Sequence, residues 1–487
     1  MRADTCLARF SGRSLQVPCR SRYGQLHVGC TGAITVSIDP YLHLFPRIPN
    51  SKSSILNPES PILSLVYYNV VMQTDRCVAF PYSPHAVSTH MSSPTTVDLS
   101  QYVSERMRNT PPSGIRRFFE IAATMDDVIS LGIGEPDFVS PRPVIDAGIR
   151  SLEEGKTGYT SNAGLEELRE LIAADLDRLY DVSYHPDSEI LVTVGCSEAM
   201  QLAMMALLDP GDEILIPEPC FVSYGPTAHF AGGTVVDVPT RVETNFQVTA
   251  ADLEKKVTDK TKAVFLGYPN NPTGAVLERE MLEEIAKFVI EHDLMVVSDE
   301  IYDRLIYGDV EENGHVSVPS IEGLRDRTIL LGGFSKNFAM TGWRIGYACA
   351  PEPILRGMYK AHQYMVMSAP TVGQIGAVAA LKHCQDDVET MRQSYDERRR
   401  TIVDGLNAIG LPTFEPKGAF YAFPDITSTG LTSEEFAERL LHEEGVACVP
   451  GDAFGPSGAG YVRCSYATSL ENVEAALERI EAFVKSL

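Results

Sequence analysis

Short apolar runs return again and again along the middle of this chain, and their character limits the fold more than any other feature. Glu189–Val194, Glu213–Pro217, Ala263–Gly267, Leu294–Ser298 and Thr328–Leu331 are rich in Val, Ile, Leu and Phe and are bounded by turn residues. They do not alternate apolar with polar, so each predicts a strand buried on both faces. Helical patterns such as Glu198–Leu208 and Glu278–His292 lie between them. Buried strands separated by helices predict an α/β fold with a mainly parallel sheet covered on both sides. Ligands of such sheets sit at the carboxyl ends of the strands, so the residues after each run are where chemistry is expected. A helical stretch, Gly373–Ile409, then leads to a tail, Leu411–Leu487, with hairpin-like and helical pieces that predict a second, smaller domain.

At 487 residues and 44% hydrophobic, the chain can fill two cores. Residues 1–90 differ from the rest: rich in Ser, Pro and Arg, with no sustained periodicity. They are expected to be an unassigned extension, disordered or an over-extended start, since Met91 reads as an ordinary beginning; a transit peptide is the alternative. A chain beginning at Met91 is expected to keep its stability. Leu99 to Met107 has helical spacing. The expected division is an arm over 91–140 contributing to the small domain, a large domain over 141–375 and a small domain over 376–487.

The extension holds eight Lys/Arg against four Asp/Glu, so the body is more acidic than the net charge of −24. Such a body repels nucleic acid and anionic lipid, and neither is expected as a partner. Pro61–Met72 is too short for a membrane span, which needs ~20 residues. The ten cysteines form no Cys-x-x-Cys pair and no His cluster has metal-ligand spacing, so no metal is expected. Free thiols fit a reducing cytoplasm.

Gly332 and Gly333 follow the run Thr328–Leu331, then come Phe334, Ser335 and Lys336, with Arg344 shortly after. A lysine desolvated behind a buried strand has a lowered pKa and can bond an aldehyde. A nearby arginine offers a bidentate clamp for phosphate. Lysine plus phosphate clamp is what pyridoxal phosphate (PLP) requires. The ring of that cofactor also needs a carboxylate to keep its nitrogen protonated. Asp299, at the end of Leu294–Ser298, can supply one, although a strand-end Asp is equally a helix cap. Tyr302 and Asn271, in Asn271-Pro272-Thr273-Gly274, can donate to the ring's phenolic oxygen, while Asn-Pro-Thr-Gly by itself is a turn signal. Gly195-Cys196-Ser197 leads from the strand ending at Val194 into the helix Glu198–Leu208, and the backbone N–H groups at that helix start with the Ser197 hydroxyl make an anion site. Phe221, after Glu213–Pro217, can stack on the ring or simply fill the core.

In this order the segments resemble the class I/II, fold-type I PLP aminotransferases related to aspartate aminotransferase, over about Ser104 to Leu487. The most specific part is Ser335-Lys336 through Gly346, joined by Asn271–Gly274 and by Asp299 with Tyr302. The resemblance implies the type I PLP-transferase fold, with Lys336 as the catalytic Schiff-base lysine. Tyr159, Cys196, Ser197, Phe221, Asn271, Asp299, Tyr302, Ser335 and Arg344 would bind cofactor. Arg463 would grip the substrate α-carboxylate, and the Gly134 backbone would approach the substrate. Tyr159 would reach the neighbouring subunit's phosphate, which implies a homodimer with shared sites.

Gly333 stands where many relatives carry a phosphate-binding Ser, which leaves that contact to Ser335, Ser197 and Arg344. No residue matches the arginine that reads the distal carboxylate of aspartate. The resemblance implies an aminotransferase working on an L-amino acid and a 2-oxo acid. A PLP lyase, for example a carbon–sulfur β-lyase, is the alternative on the same scaffold. A PLP-binding transcription regulator would need a DNA-reading domain, and residues 1–90 show no helix-turn-helix pattern.

Overall fold

A computed structural model of the chain describes residues 5–10, 13–18, 98–112, 114, 125, 127–308 and 314–487. Thr96–Leu487 form one compact unit, and Met1–Thr95 a separate one. Within the latter, β1 (Thr5–Phe10) and β2 (Arg13–Pro18) pair as an antiparallel hairpin. An extension expected to lack regular structure therefore contains two short strands. The apolar run Pro61–Met72 and the start at Met91 lie outside the described residues.

The compact unit is built on a seven-stranded sheet of β4 (Ile190–Val194), β5 (Glu213–Glu218), β6 (Thr234–Pro239), β7 (Thr261–Gly267), β8 (Met295–Asp299), β9 (Thr328–Gly333) and β10 (Ile345–Cys349). Their order is β4-β10-β9-β8-β7-β5-β6. Neighbours from β9 to β6 run parallel, and β10 alone runs antiparallel, between β4 and β9. The five expected strands are all present. The sequence reading missed β6 and β10. β6 is an edge strand with largely exposed or half-buried residues, so it lacks an apolar run. β10 is short and interrupted by Gly346.

The helix expected at Glu198–Leu208 spans Gly195–Leu207, so Gly195, Cys196 and Ser197 form its first turn rather than a preceding loop. It is buried over most of its surface and packs against β9 and β10. The stretch Gly373–Ile409 is two helices, Thr371–His383 and Gln385–Ile409, parted at Cys384. Leu99–Met107 is likewise split into Leu99–Tyr102 and Glu105–Arg108, where Ser104 caps the second piece by accepting from the Met107 N–H.

The C-terminal elements form a second, small sheet of order β11 (Tyr421–Ala422), β14 (Val462–Ser465), β13 (Val449–Pro450). The helices Ser433–Glu444 and Leu470–Ser486 pack against each other beside it. β3 (Ile129–Ser130) runs parallel to β12 (Val446–Ala447). The Leu131 N–H donates to Ala447 O at 2.8 Å, and the Ser465 N–H donates to Leu131 O at 2.6 Å. These bonds stitch the segment after β3 to the C-terminal elements and lay Gly132–Glu135 across the ends of the large sheet's strands.

Candidate active site

The carboxyl ends of β4, β5, β7, β8 and β9 open on one edge of the large sheet, and the amino end of antiparallel β10 meets them there. A cavity of about 520 Å³ lies on this edge. Gly134, Cys196, Ser197, Phe221, Asn271, Asp299, Tyr302, Ser335, Lys336, Arg344 and Arg463 all line it. Of the expected site residues only Tyr159 stands elsewhere, with 83% of its surface exposed.

Lys336 reaches its amine across the cavity floor to donate to Gly134 O at 2.7 Å. Burial pulls its pKa from 10.5 down to about 8, with Glu135 opposing and the Arg463 and Arg344 cations assisting. A large fraction of the amine is then neutral near pH 8 and able to act as a nucleophile or base.

Asp299 is buried at the end of β8 and accepts from the Tyr224 hydroxyl at 2.9 Å, the Cys196 thiol at 3.4 Å and the Ile301 N–H at 3.3 Å. Burial raises its pKa in spite of these donors. No cation is bonded to it among the described residues, so the carboxylate has strong reason to take a cationic ligand group.

At the mouth, β10 passes so close to the start of the Gly195–Leu207 helix that a Cβ on Gly346 would lie 2.4 Å from Cys196 N. Gly195 adopts φ +69°, and a Cβ there would lie 2.7 Å from Arg344 Nη2. Two glycines thus let the Arg344 guanidinium lie on the helix's first turn. That turn has no side-chain cap, and its amides, the Ser197 hydroxyl and Arg344 make an anion site. Arg344 itself is held at φ +56°, a rare conformation for a side-chain-bearing residue.

Arg463, on β14, is buried at the opposite end. It donates through Nη1 to Asn271 Oδ1 at 2.9 Å and through Nη2 to Gly132 O. Its guanidinium lies over the rings of Tyr421, 4.6 Å away, and Phe454, 4.9 Å away. Among the described residues its Nε has no partner, and no carboxylate neutralises the group. With its oxygen taken by Arg463, the Asn271 amide has its N–H groups left to offer a ligand oxygen. Tyr302 shares a hydrogen bond of 2.7 Å with the hydroxyl of Tyr421.

The sequence reading missed Tyr224 and Tyr421. Tyr224 follows Phe221 by one helical turn, a spacing that could have flagged it; Tyr421 has no local signal. Glu135, Met200, Pro269, Ile301 and Thr341 also line the cavity unforeseen.

A half-buried lysine in the turn after a central strand, a buried carboxylate on the next strand and an anion site at a helix start define the type I PLP-transferase fold. The family model for aminotransferase class I and II matches residues 126–480. The aspartate aminotransferase of Pyrococcus abyssi is 48% identical over 79% of this chain and 98% of its own. The crystal structure of an aromatic aminotransferase from Pyrococcus horikoshii superposes with TM-score 0.73 at 47% identity, covering 76% of this chain and 99% of that one. The aspartate aminotransferase from Thermus thermophilus with maleate gives 0.74 at 40% identity over 78% and 99%. The chain belongs to the class I and II aminotransferases, and its activity is amino-group transfer rather than the lyase alternative. No helix among the described residues is long and apolar enough to cross a membrane.

Proposed function

We propose that the protein moves an amino group between an L-amino acid and a 2-oxo acid, using PLP held on Lys336. The observation that carries this reading is the half-buried Lys336 amine, shifted to a pKa of about 8, in one cavity with Asp299 and Arg463. The residues present fit the cofactor: Arg344, Ser335, Ser197 and the helix-start amides, Cys196 included, would hold its phosphate. Asp299 would hold the ring nitrogen, Asn271 and Tyr302 the phenolic oxygen, and Phe221 a face of the ring. When bound, PLP supplies an aldehyde to receive the amino group and a protonated ring that draws in the charge left on the substrate.

The chain's own residues do the rest. Asp299 keeps the ring nitrogen protonated, and its unneutralised burial favours that pairing. Arg463 presents its fork to the substrate α-carboxylate and fixes the orientation of Cα. Lys336, largely neutral above pH 8, would take the proton from Cα and hand it to the cofactor carbon that receives the amino group. The Gly134 carbonyl, which holds the amine at 2.7 Å, keeps it on the substrate side of the cavity. Tyr159, exposed on the surface, is free to reach a second copy in a homodimer in which each completes the other's phosphate site, and the free cysteines suit a cytoplasmic setting. The arm 91–140, large domain 141–375 and small domain 376–487 are the corresponding division.

A panel of amino acids tested with 2-oxoglutarate checks this: glutamate and the matching 2-oxo acid should form together. Pyruvate released from cystathionine without any 2-oxo acid, and no transfer from the panel, would contradict it.

A further inference from the structure

We propose that Asp303 and Asn337 are a positioning pair that sets the separation between the Lys336 amine and the Tyr302 hydroxyl. This rests on Lys336 and Tyr302 serving the cofactor as described above. The turn after β8 and the turn after β9 lie side by side, and successive residues of each meet as successive rungs. Lys336 Nζ stands 5.8 Å from the centre of the Tyr302 ring. One residue on, Asn337 Nδ2 donates to Asp303 Oδ1 at 2.5 Å, both side chains buried. One residue further, the Arg304 guanidinium lies 5.1 Å from the centre of the Phe338 ring. The first rung faces the cavity, and the other two anchor it from behind.

The anchor is needed because the lysine turn is weakly held by its own backbone. Its bonds are long: Phe338 N–H to Phe334 O at 3.3 Å, Ala339 N–H to Lys336 O at 3.4 Å and Met340 N–H to Phe334 O at 3.3 Å. Ala339 also sits at φ +48°. Bonds of this length contribute little to fixing a turn. The Asp303 side, in contrast, is rigid. Its second oxygen accepts from the Tyr180 hydroxyl at 2.5 Å, and Arg304 is tied to Asp175 and donates to Gln385 Oε1 at 2.7 Å. With the Asn337 amide nitrogen turned to Asp303, its oxygen is buried and has no partner among the described residues. A buried polar atom left unpaired is destabilising, and keeping it is understandable if the orientation of the turn matters more.

The test uses the PLP-loaded enzyme carrying Asn337→Leu, which removes the donor at similar size, and Asp303→Asn, which retains an acceptor. Three quantities are read: the steady-state constants, the pH midpoint of the cofactor's absorbance, and Tm. Glu135, Arg463, Arg344 and Asp299, the charged groups facing Lys336, are unchanged in both variants, and Asn337→Leu alters no charge at all, so a displaced midpoint in that variant reports movement of the amine. Asn337→Leu should lower kcat at least ~10-fold, since misplacement by ~1 Å can cost ~100-fold. KM should stay within a factor of about two, the midpoint should move, and Asp303→Asn should recover much of both. Unsubstituted kcat and midpoint in Asn337→Leu, or a loss confined to Tm, would overturn the pair's role. If Asn337→Leu yields no folded protein, Asn337→Ala, which also removes the donor, decides by the same readings. An unsubstituted protein without lysine-linked absorbance would overturn the functional reading itself and the pair's role with it.

Discussion

The Tyr224 hydroxyl donates to Asp299 Oδ2 at 2.9 Å, from a helix that begins where β5 gives way to the cavity. It offsets part of the burial that raises the Asp299 pKa, so the carboxylate stays available to a cationic ring nitrogen. Tyr224→Phe removes this donor. A hydrogen bond to a charged group contributes ~1.5–3 kcal/mol, so PLP affinity should fall at least ~10-fold, as read by equilibrium titration of the apoprotein. Unchanged affinity would show that Tyr224 only fills space.

Asp299 should also set the pH response of the apoprotein. Its folded pKa lies above the ordinary 3.8, so its contribution is intact below 3.8 and is lost as pH rises through the raised value. At neutral pH the buried charge is therefore a burden on the apoprotein. Asp299→Asn should raise apoprotein Tm at pH 7 by about 2–4 °C, with the gain shrinking toward pH 4, while weakening PLP binding at least ~10-fold. A fall in apoprotein Tm would contradict this.

Lys336 gives the opposite slope. Its pKa falls from 10.5 unfolded to about 8 folded, so the folded state binds fewer protons between those values and stability rises with pH across that window. Lys336→Met should stabilise the apoprotein by ~1–3 kcal/mol at pH 7. The advantage should fade between pH 8 and 10.5, and amino transfer should be lost. Denaturant titrations at several pH values read it; a pH-independent difference would exclude a buried amine as the cause.

Arg463 separates substrate grip from cofactor binding. Its fork already serves Asn271 and Gly132 and has Nε unpaired, a geometry that a lysine point charge cannot reproduce. Arg463→Lys should lower kcat/KM for every amino acid at least ~10-fold with cofactor retained. Loss of PLP with normal turnover in the loaded remainder would assign Arg463 to the cofactor instead.

Most of the cavity was legible because Asp299, Asn271, Lys336 and Ser197 each follow a buried run, and strand ends are where an α/β sheet gathers its ligands. The helix start was misplaced by three residues because Gly195 looks like a turn in sequence and is the helix's first residue in space. Tyr421 was illegible: it meets Tyr302 across 119 residues of chain, and its strand is only two residues long. β10 escaped for a related reason, since Gly346 is required by contact with Cys196 and breaks the apolar pattern that would have revealed the strand.

The central claim is that Lys336 carries the cofactor. Borohydride reduction of the PLP-loaded protein, followed by proteolysis and peptide mapping, tests it most directly. The account predicts a yellow protein whose colour is lost on reduction, with one phosphopyridoxyl label, on the peptide containing Ser335 and Lys336. Label on any other lysine, or none on that peptide, would contradict it.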